Sequence, residues 1–297
     1  MYIRIGFEIT VDCPKPTPML LALRLHGSND GRRMFGSDHI RAQPDLHIDE
    51  YADVFGNRCA RIEAGTGTTT LWSDCVVADS GTPDEYNWNA RQHEVTDLPI
   101  DTLPYLTPSR YCENDELVAE AWNLFGGATP GWTRVQAISN WVHNNVLFGY
   151  RFGRPTKTAV DVFREGTGVC RDFAHLFIAL CRAMNIPARY ASGYLSDIGT
   201  DAEGAGDFCA WSEVFLEGRW YAFDARHNTP RIGRILMVRG RDAADVPMLT
   251  AFGDYTLKYM KVWTDPMDGS LREEQLTEAL QERPASEALV LHPYCSA

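Results

Sequence analysis

The spacing of apolar residues changes twice along this chain, and each change narrows the folds open to it. Near the N-terminus Ile3, Ile5, Phe7, Ile9 and Val11 alternate with Tyr2, Arg4, Gly6, Glu8 and Thr10. A two-residue period of this kind describes a half-buried strand, here ending at Cys13-Pro14. Met19 to His26 is a second apolar run, and residues 57–63 and 68–78, split by Gly65-Thr66-Gly67, are further strand candidates. No long amphipathic helical pattern interrupts them. Residues 1–100 are therefore expected to form an N-terminal β-sandwich-like domain.

Residues 99–108 read as a linker, with prolines 99, 104 and 108 blocking helix. Beyond it the period lengthens. Residues 115–125 look helical and stop at Gly126-Gly127, and Val135, Ile138, Trp141, Val142 and Val146 recur at three-and-four spacing. Thr158 can cap a short helix that ends at Gly166. Cys170 then opens a nearly continuous apolar helix running to about Asn185, before Pro187. After Pro187 the period returns to two, with strands expected over 188–195, 208–216, 220–224, 232–239 and 257–263. Glu217-Gly218 is a tight turn that makes a hairpin of the second and third of these. The order predicts an α+β core over residues 101–264. Residues 265–297 form an acidic, proline-punctuated tail, weakly structured apart from one weak helix around 273–282.

Composition excludes several function classes. The chain has 297 residues, with 28 Lys and Arg against 40 Asp and Glu, a net charge of −12. That surface repels nucleic acid and anionic membranes. No run approaches 18 apolar residues, and the first residues interleave charge with apolar side chains, so neither a membrane span nor a leader is expected and the cytoplasm is the expected compartment. Eight cysteines, at 13, 59, 75, 112, 170, 181, 209 and 295, form no C-x-x-C pair. Zinc-ribbon and disulfide-scaffold readings fail on that spacing, and most of the thiols are expected to be reduced and buried.

Cys170 differs from the rest. It follows Gly168-Val169 at the start of a helix, where unpaired N–H groups and the positive end of the macrodipole favour thiolate. Cys181, three turns on, is a packing residue on nearly the same face.

The run Gly168-x-Cys170-Arg-Asp-Phe-Ala-His resembles the core of the transglutaminase-like superfamily. Ile186-Pro187-Ala188-Arg189-Tyr190, Ser192-Gly193-Tyr194, Ala210-Trp211-x-Glu213 and Gly218-x-Trp220-x-x-Phe223-Asp224 extend the likeness in the expected order, over about residues 110–240. The chain is similar in particular to the bacterial cysteine-protease branch that carries an N-terminal β domain. The resemblance implies a papain-like α+β fold and a Cys–His–Asp triad in which thiolate attacks an amide carbonyl. Carried over, the nucleophile is Cys170 and the carboxylate Asp224. The histidine position holds Cys209, which cannot become the cation that pairs with a thiolate.

His227 is the candidate substitute base. In a continuing strand it would face away from Asp224, but a loop could fold it back. Trp211, Asp172 and His175 are candidates for the wall of a substrate cleft. Each also has a structural reading: Trp211 as core, Asp172 as partner of the helix dipole, and His175, about 140° around the helix from Cys170, as a hydrogen-bonded interior residue. Arg189, Arg226, Arg231 and Arg234 form a basic group suited to ion pairs or to a substrate carboxylate.

The expected activity is hydrolysis of a peptide or amide bond through a Cys170 thioester. The alternatives are a catalytically silent protein that binds a peptide or protein in the old cleft, and a Cys170–Cys209 thiol pair serving as a redox or soft-metal site with Asp224 as third ligand. No cofactor is implied and no D-x-D-x-D-G calcium loop is present.

Overall fold

The computed structural model of the chain describes residues 1–200 and 206–281. The first six strands are β1 (Tyr2–Cys13), β2 (Thr17–Leu21), β3 (Met34–Gln43), β4 (Asp49–Ala52), β5 (Arg58–Ala64) and β6 (Gly67–Ala78). Helices α1 (Val118–Phe125) and α2 (Trp132–Asn145), the short β7 (Leu147–Phe148), α3 (Ala159–Glu165) and β8 (Thr167–Gly168) lead into α4 (Cys170–Ala183). Then come β9 (Ala188–Leu195), β10 (Cys209–Leu216), β11 (Arg219–Phe223), β12 (Arg234–Gly240), β13 (Leu249–Ala251), β14 (Thr256–Met267) and α5 (Glu273–Ala279).

Three antiparallel sheets of four strands carry the architecture, in the orders β14-β1-β6-β3, β13-β2-β5-β4 and β11-β10-β9-β12. The alternating residues of β1 turn inward as their period requires: Ile3, Ile5, Phe7, Ile9 and Val11 are all buried and join Met19, Ile62 and Leu71 in one core. The third sheet forms the core around α4. Helix α4 packs against β9 and β10 with nearly every residue buried, which its apolar run demanded. Thr158 caps α3, its hydroxyl accepting the Asp161 N–H while the Asp161 carboxylate takes the Thr158 N–H.

The chain returns to its beginning. β14, expected by its place in sequence to belong to the second unit, pairs along the whole of β1, and β13 pairs with β2. Buried Arg4 and Asp74 form an ion pair that anchors this return: Arg4 Nε lies 3.0 Å from Asp74 Oδ1, and Trp263 Nε1–H of β14 donates to the same oxygen at 3.0 Å. The tail reading changes accordingly. Residues 265–267 continue the strand, and α5 packs on β3 with Leu276 fully buried. The rest of that tail, residues 282–297, lies outside the described residues, as does Cys295.

The linker is also more regular than its prolines predict. Residues 100–105 form a 3-10 helix that contains Pro104. The strands Met34–Gln43, Asp49–Ala52 and Leu249–Ala251 were absent from the sequence reading. β3 shows why: it buries few of its residues, and its register shifts between Ser37 and Arg41. No helix among the described residues is long and apolar enough to cross a membrane.

Candidate active site

The site grows from the first turn of α4. Val169 is extended, and its N–H donates to the Asp172 carboxylate at 3.0 Å, which closes the turn and leaves Cys170 as the first helical residue. Gly168 is required two residues earlier because a Cβ there would run into the Asp172 side chain. Asp172 is fully buried, and that burial pushes its carboxyl pKa upward. It belongs to the helix start.

Cys209 opens β10 and pairs with Gly193 of β9, whose bare Cα lets β12 come close on the other side. The sheet therefore presents Cys209 to the N-terminus of α4, where the expected histidine would stand. The two sulfurs are hydrogen-bonded, and this contact lowers the Cys170 pKa and raises that of Cys209. Burial opposes the first shift, while the charge of Arg226 and the Ala210 backbone N–H assist it. The Cys209 thiol also lies 3.6 Å from the Ala210 carbonyl, but a thiolate is the stronger acceptor for its single proton. Electrostatically, then, Cys170 is the more acidic sulfur of the pair and Cys209 the one that keeps its proton. Arg226 is held over the Phe148 ring, its guanidinium carbon 3.7 Å from the centroid.

Asp224 follows β11 and nucleates a tight turn. Its Oδ1 accepts the N–H groups of Arg226 and His227, both at 3.2 Å, and its carbonyl accepts that of Asn228 at 2.7 Å. Asn228 takes a left-handed φ of 52° and is tied by its side chain to Gln136, Ser139 and Asn140 of α2. His143 of α2 bonds the carbonyls of Ala225 and Arg226. These anchors fold His227 back, so that its Nδ1 meets Asp224 Oδ2 at 2.9 Å. One ligand atom each of Cys209, Asp224 and His227 lies within 4.8 Å of the other two. Burial raises the Asp224 pKa, but the hydrogen bond from His227 and the charge of Arg234, 3.4 Å away, overcome it and hold the carboxyl below the ordinary range.

A cavity of about 80 Å³ opens beside Cys170, lined also by Tyr150, Tyr190, Ser192, Asp207 and Met248. None of the three cleft candidates from sequence reaches it. Asp172 lies under the helix start. Trp211 is buried beneath the Arg234 guanidinium, whose carbon lies 4.7 Å from its ring centroid, and does not line the cavity. His175 is enclosed between the rings of Tyr111 and Tyr190, accepts the Ala243 N–H on Nε2 at 3.1 Å, and is driven by burial well below its ordinary pKa. The basic group resolves mostly into ion pairs: Arg189 with Glu213, Arg231 with Asp197, and Arg234 with Asp84 and Asp224. Arg226 acts on the Cys170 sulfur and Arg234 on that of Cys209. All seven cysteines among the described residues are free thiols.

The geometry agrees with what this chain is similar to. Residues 120–225 match the family model of the transglutaminase-like superfamily. A solved structure from Cytophaga hutchinsonii, described as a "putative cysteine protease", is 30% identical with a TM-score of 0.79, over 92% of each chain. An uncharacterized protein of Mycobacterium leprae is 33% identical over 144 residues, which is 41% of this chain and 50% of that protein. The human kyphoscoliosis peptidase is 30% identical over 118 residues, 37% of this chain and 17% of the peptidase. The chain thus spans half or less of these curated relatives. Matched through nearly its whole length by the Cytophaga structure and through its helical core and hairpin by the family model, the chain belongs to the transglutaminase-like superfamily.

Proposed function

We propose that the protein is a cysteine hydrolase that opens a peptide or amide bond through a thioester on Cys170, with Cys209 standing between that nucleophile and a His227–Asp224 pair. One observation carries the reading. The Cys209 sulfur touches Cys170 on one side and lies within 4.8 Å of Asp224 and His227 on the other. An imidazole held by a carboxylate is thus present after all, one thiol removed from the nucleophile. Its Nδ1–H is fixed by Asp224, the orientation a triad carboxylate supplies.

In this cycle the Cys170 thiolate attacks the carbonyl carbon, and the Cys170 N–H at the helix start donates to the developing oxyanion. The C–N bond breaks, the amine leaves with a proton, and the acyl group remains on sulfur. Water then adds to the thioester, gives up a proton toward Cys209 and His227, and Cys170 leaves as thiolate. A peptide or protein is the substrate class that the family resemblance favours.

Alkylation by iodoacetamide at pH 6 to 7, followed by mass spectrometry, tests the nucleophile. Cys170 is expected to react faster than a free thiol, and His227→Gln to slow release of the acyl group. Alkylation no faster than a free thiol, combined with peptide binding but no turnover, favours the silent binding protein instead.

The sulfur contact also supports a second reading, reversible oxidation of the pair. Mild oxidant would then remove two titratable thiols that reductant restores. A soft-metal site is less well supported, since the Arg234 guanidinium 3.4 Å from Asp224 repels a cation there.

A further inference from the structure

The wall of the cavity beside Cys170 carries a second proton-bearing group. Asp207 and Tyr150 line the same space as Cys170, and Tyr150 Oη–H donates to Asp207 Oδ2 at 3.3 Å. Neither residue is needed to build the sheet or cap a helix: Asp207 precedes β10, and Tyr150 sits in the 3-10 turn 150–152 after β7. The proposed cycle leaves one requirement unmet. An amine departs from a tetrahedral intermediate only if its nitrogen is protonated, and neither Cys209 nor His227 lines the cavity beside Cys170.

We propose that Asp207 is the catalytic acid of the acylation step, giving its proton to the leaving nitrogen while Tyr150 holds its carboxyl toward Cys170. The inference rests on the Cys170 reading. The balance closes: as the C–N bond breaks, the Asp207 O–H proton passes to nitrogen, leaving a neutral amine, a Cys170 thioester and an Asp207 carboxylate. In deacylation the water gives its proton toward Cys209 and His227, that proton is then lost to solvent, and Asp207 regains one from solvent, so the enzyme is restored. The groups that face Asp207 are Tyr150, Cys170 of α4 and Arg226 of the turn after β11. Burial raises its carboxyl to about 6 against the hydrogen bond from Tyr150 and the charge of Arg226, so a protonated fraction is present near neutrality.

The test uses a matched pair of probes with one acyl group, a p-nitrophenyl ester and an alkyl amide. The readout is single-turnover acylation of Cys170 followed by mass spectrometry. The ester's leaving group departs without a proton and the amide's does not. Asp207→Asn is expected to slow amide acylation about 100-fold or more while leaving ester acylation within about threefold. Amide acylation by the natural chain should fall as pH rises past about 6, and the Asn variant should lack that limb. Tyr150→Phe, which removes a bond favouring the ionised carboxyl, should move the limb to higher pH. Equal losses on both probes, or loss on neither, overturn the acid role while leaving Cys170 as nucleophile. If the ester does not acylate Cys170 in the natural chain, the Cys170 reading itself fails, and this inference with it.

Discussion

Replacing Cys209 by alanine removes a side-chain donor to the Cys170 sulfur, and the size of the effect can be worked from the site. A hydrogen bond to a charged acceptor contributes about 1.5–3 kcal/mol, and each pKa unit corresponds to about 1.4 kcal/mol. Loss of the Cys209 S–H should therefore raise the Cys170 pKa, at a cost of about 10- to 100-fold in the thiolate equilibrium. The Ala210 N–H, Arg226 and the helix N-terminus remain and set a floor under the loss. Below the pKa, each unit costs about tenfold in thiolate but returns about threefold in nucleophilicity, because a more basic sulfur attacks faster. Iodoacetamide alkylation of Cys170 at pH 6 should thus slow by about 3- to 10-fold, with the midpoint of the rate profile moved upward. Cys209→Ser keeps a donor in place and should recover much of the rate. An unchanged or faster alkylation in Cys209→Ala would show that the sulfur contact does not favour the Cys170 thiolate, and the argument from Cys209 would fall.

Other perturbations test the frame around the site. Asp224 is held below its ordinary pKa, so its stabilisation is fully present above about pH 4 and lost as pH falls toward its folded value. Asp224→Asn should flatten that part of the acid-unfolding curve and cost about 3 kcal/mol in urea melts, at the lower end for a broken buried pair because Asp84 still holds Arg234. Gly193→Ala should leave little folded protein by circular dichroism, since its Cβ would strike the Ile235 backbone across the β9–β12 pairing; a stable, active variant would contradict that register. Leu276→Ala should lower stability by about 2–3 kcal/mol if α5 is an integral cover of β3, and by almost nothing if the tail is loosely attached.

Much of this architecture was legible from local pattern. The alternation of residues 3–11, the Thr158 cap, the apolar run after Cys170 and the Glu217-Gly218 turn each correspond to an element within a few residues, because periodicity and capping act over neighbours a turn or a pleat apart. The same locality hid β3 and β4, which pair but bury little. It also let prolines 99, 104 and 108 read as breakers where a 3-10 turn tolerates one.

The site divides along the same line. Cys170 at a helix start and a cysteine in place of the expected histidine are properties of the linear chain, readable because the flanking motifs set the positions. Which residues face the nucleophile is a matter of tertiary return. His227 reaches Asp224 only because Asn228 and His143 tie the turn to α2, some 80 to 90 residues away in sequence. Trp211 is kept from the cavity under the Arg234 guanidinium, and His175 between the rings of Tyr111 and Tyr190. Asp207 meets Tyr150 across 57 residues, a contact no spacing rule encodes. Even the N-terminal sheet is completed by β14, whose alternation announces a strand and not a partner. Local chemistry chose the elements and the nucleophile's position. The long-range burial of apolar faces chose their neighbours, because the cost of closing a loop depends only weakly on its length and the reward depends on what the two ends can bury together.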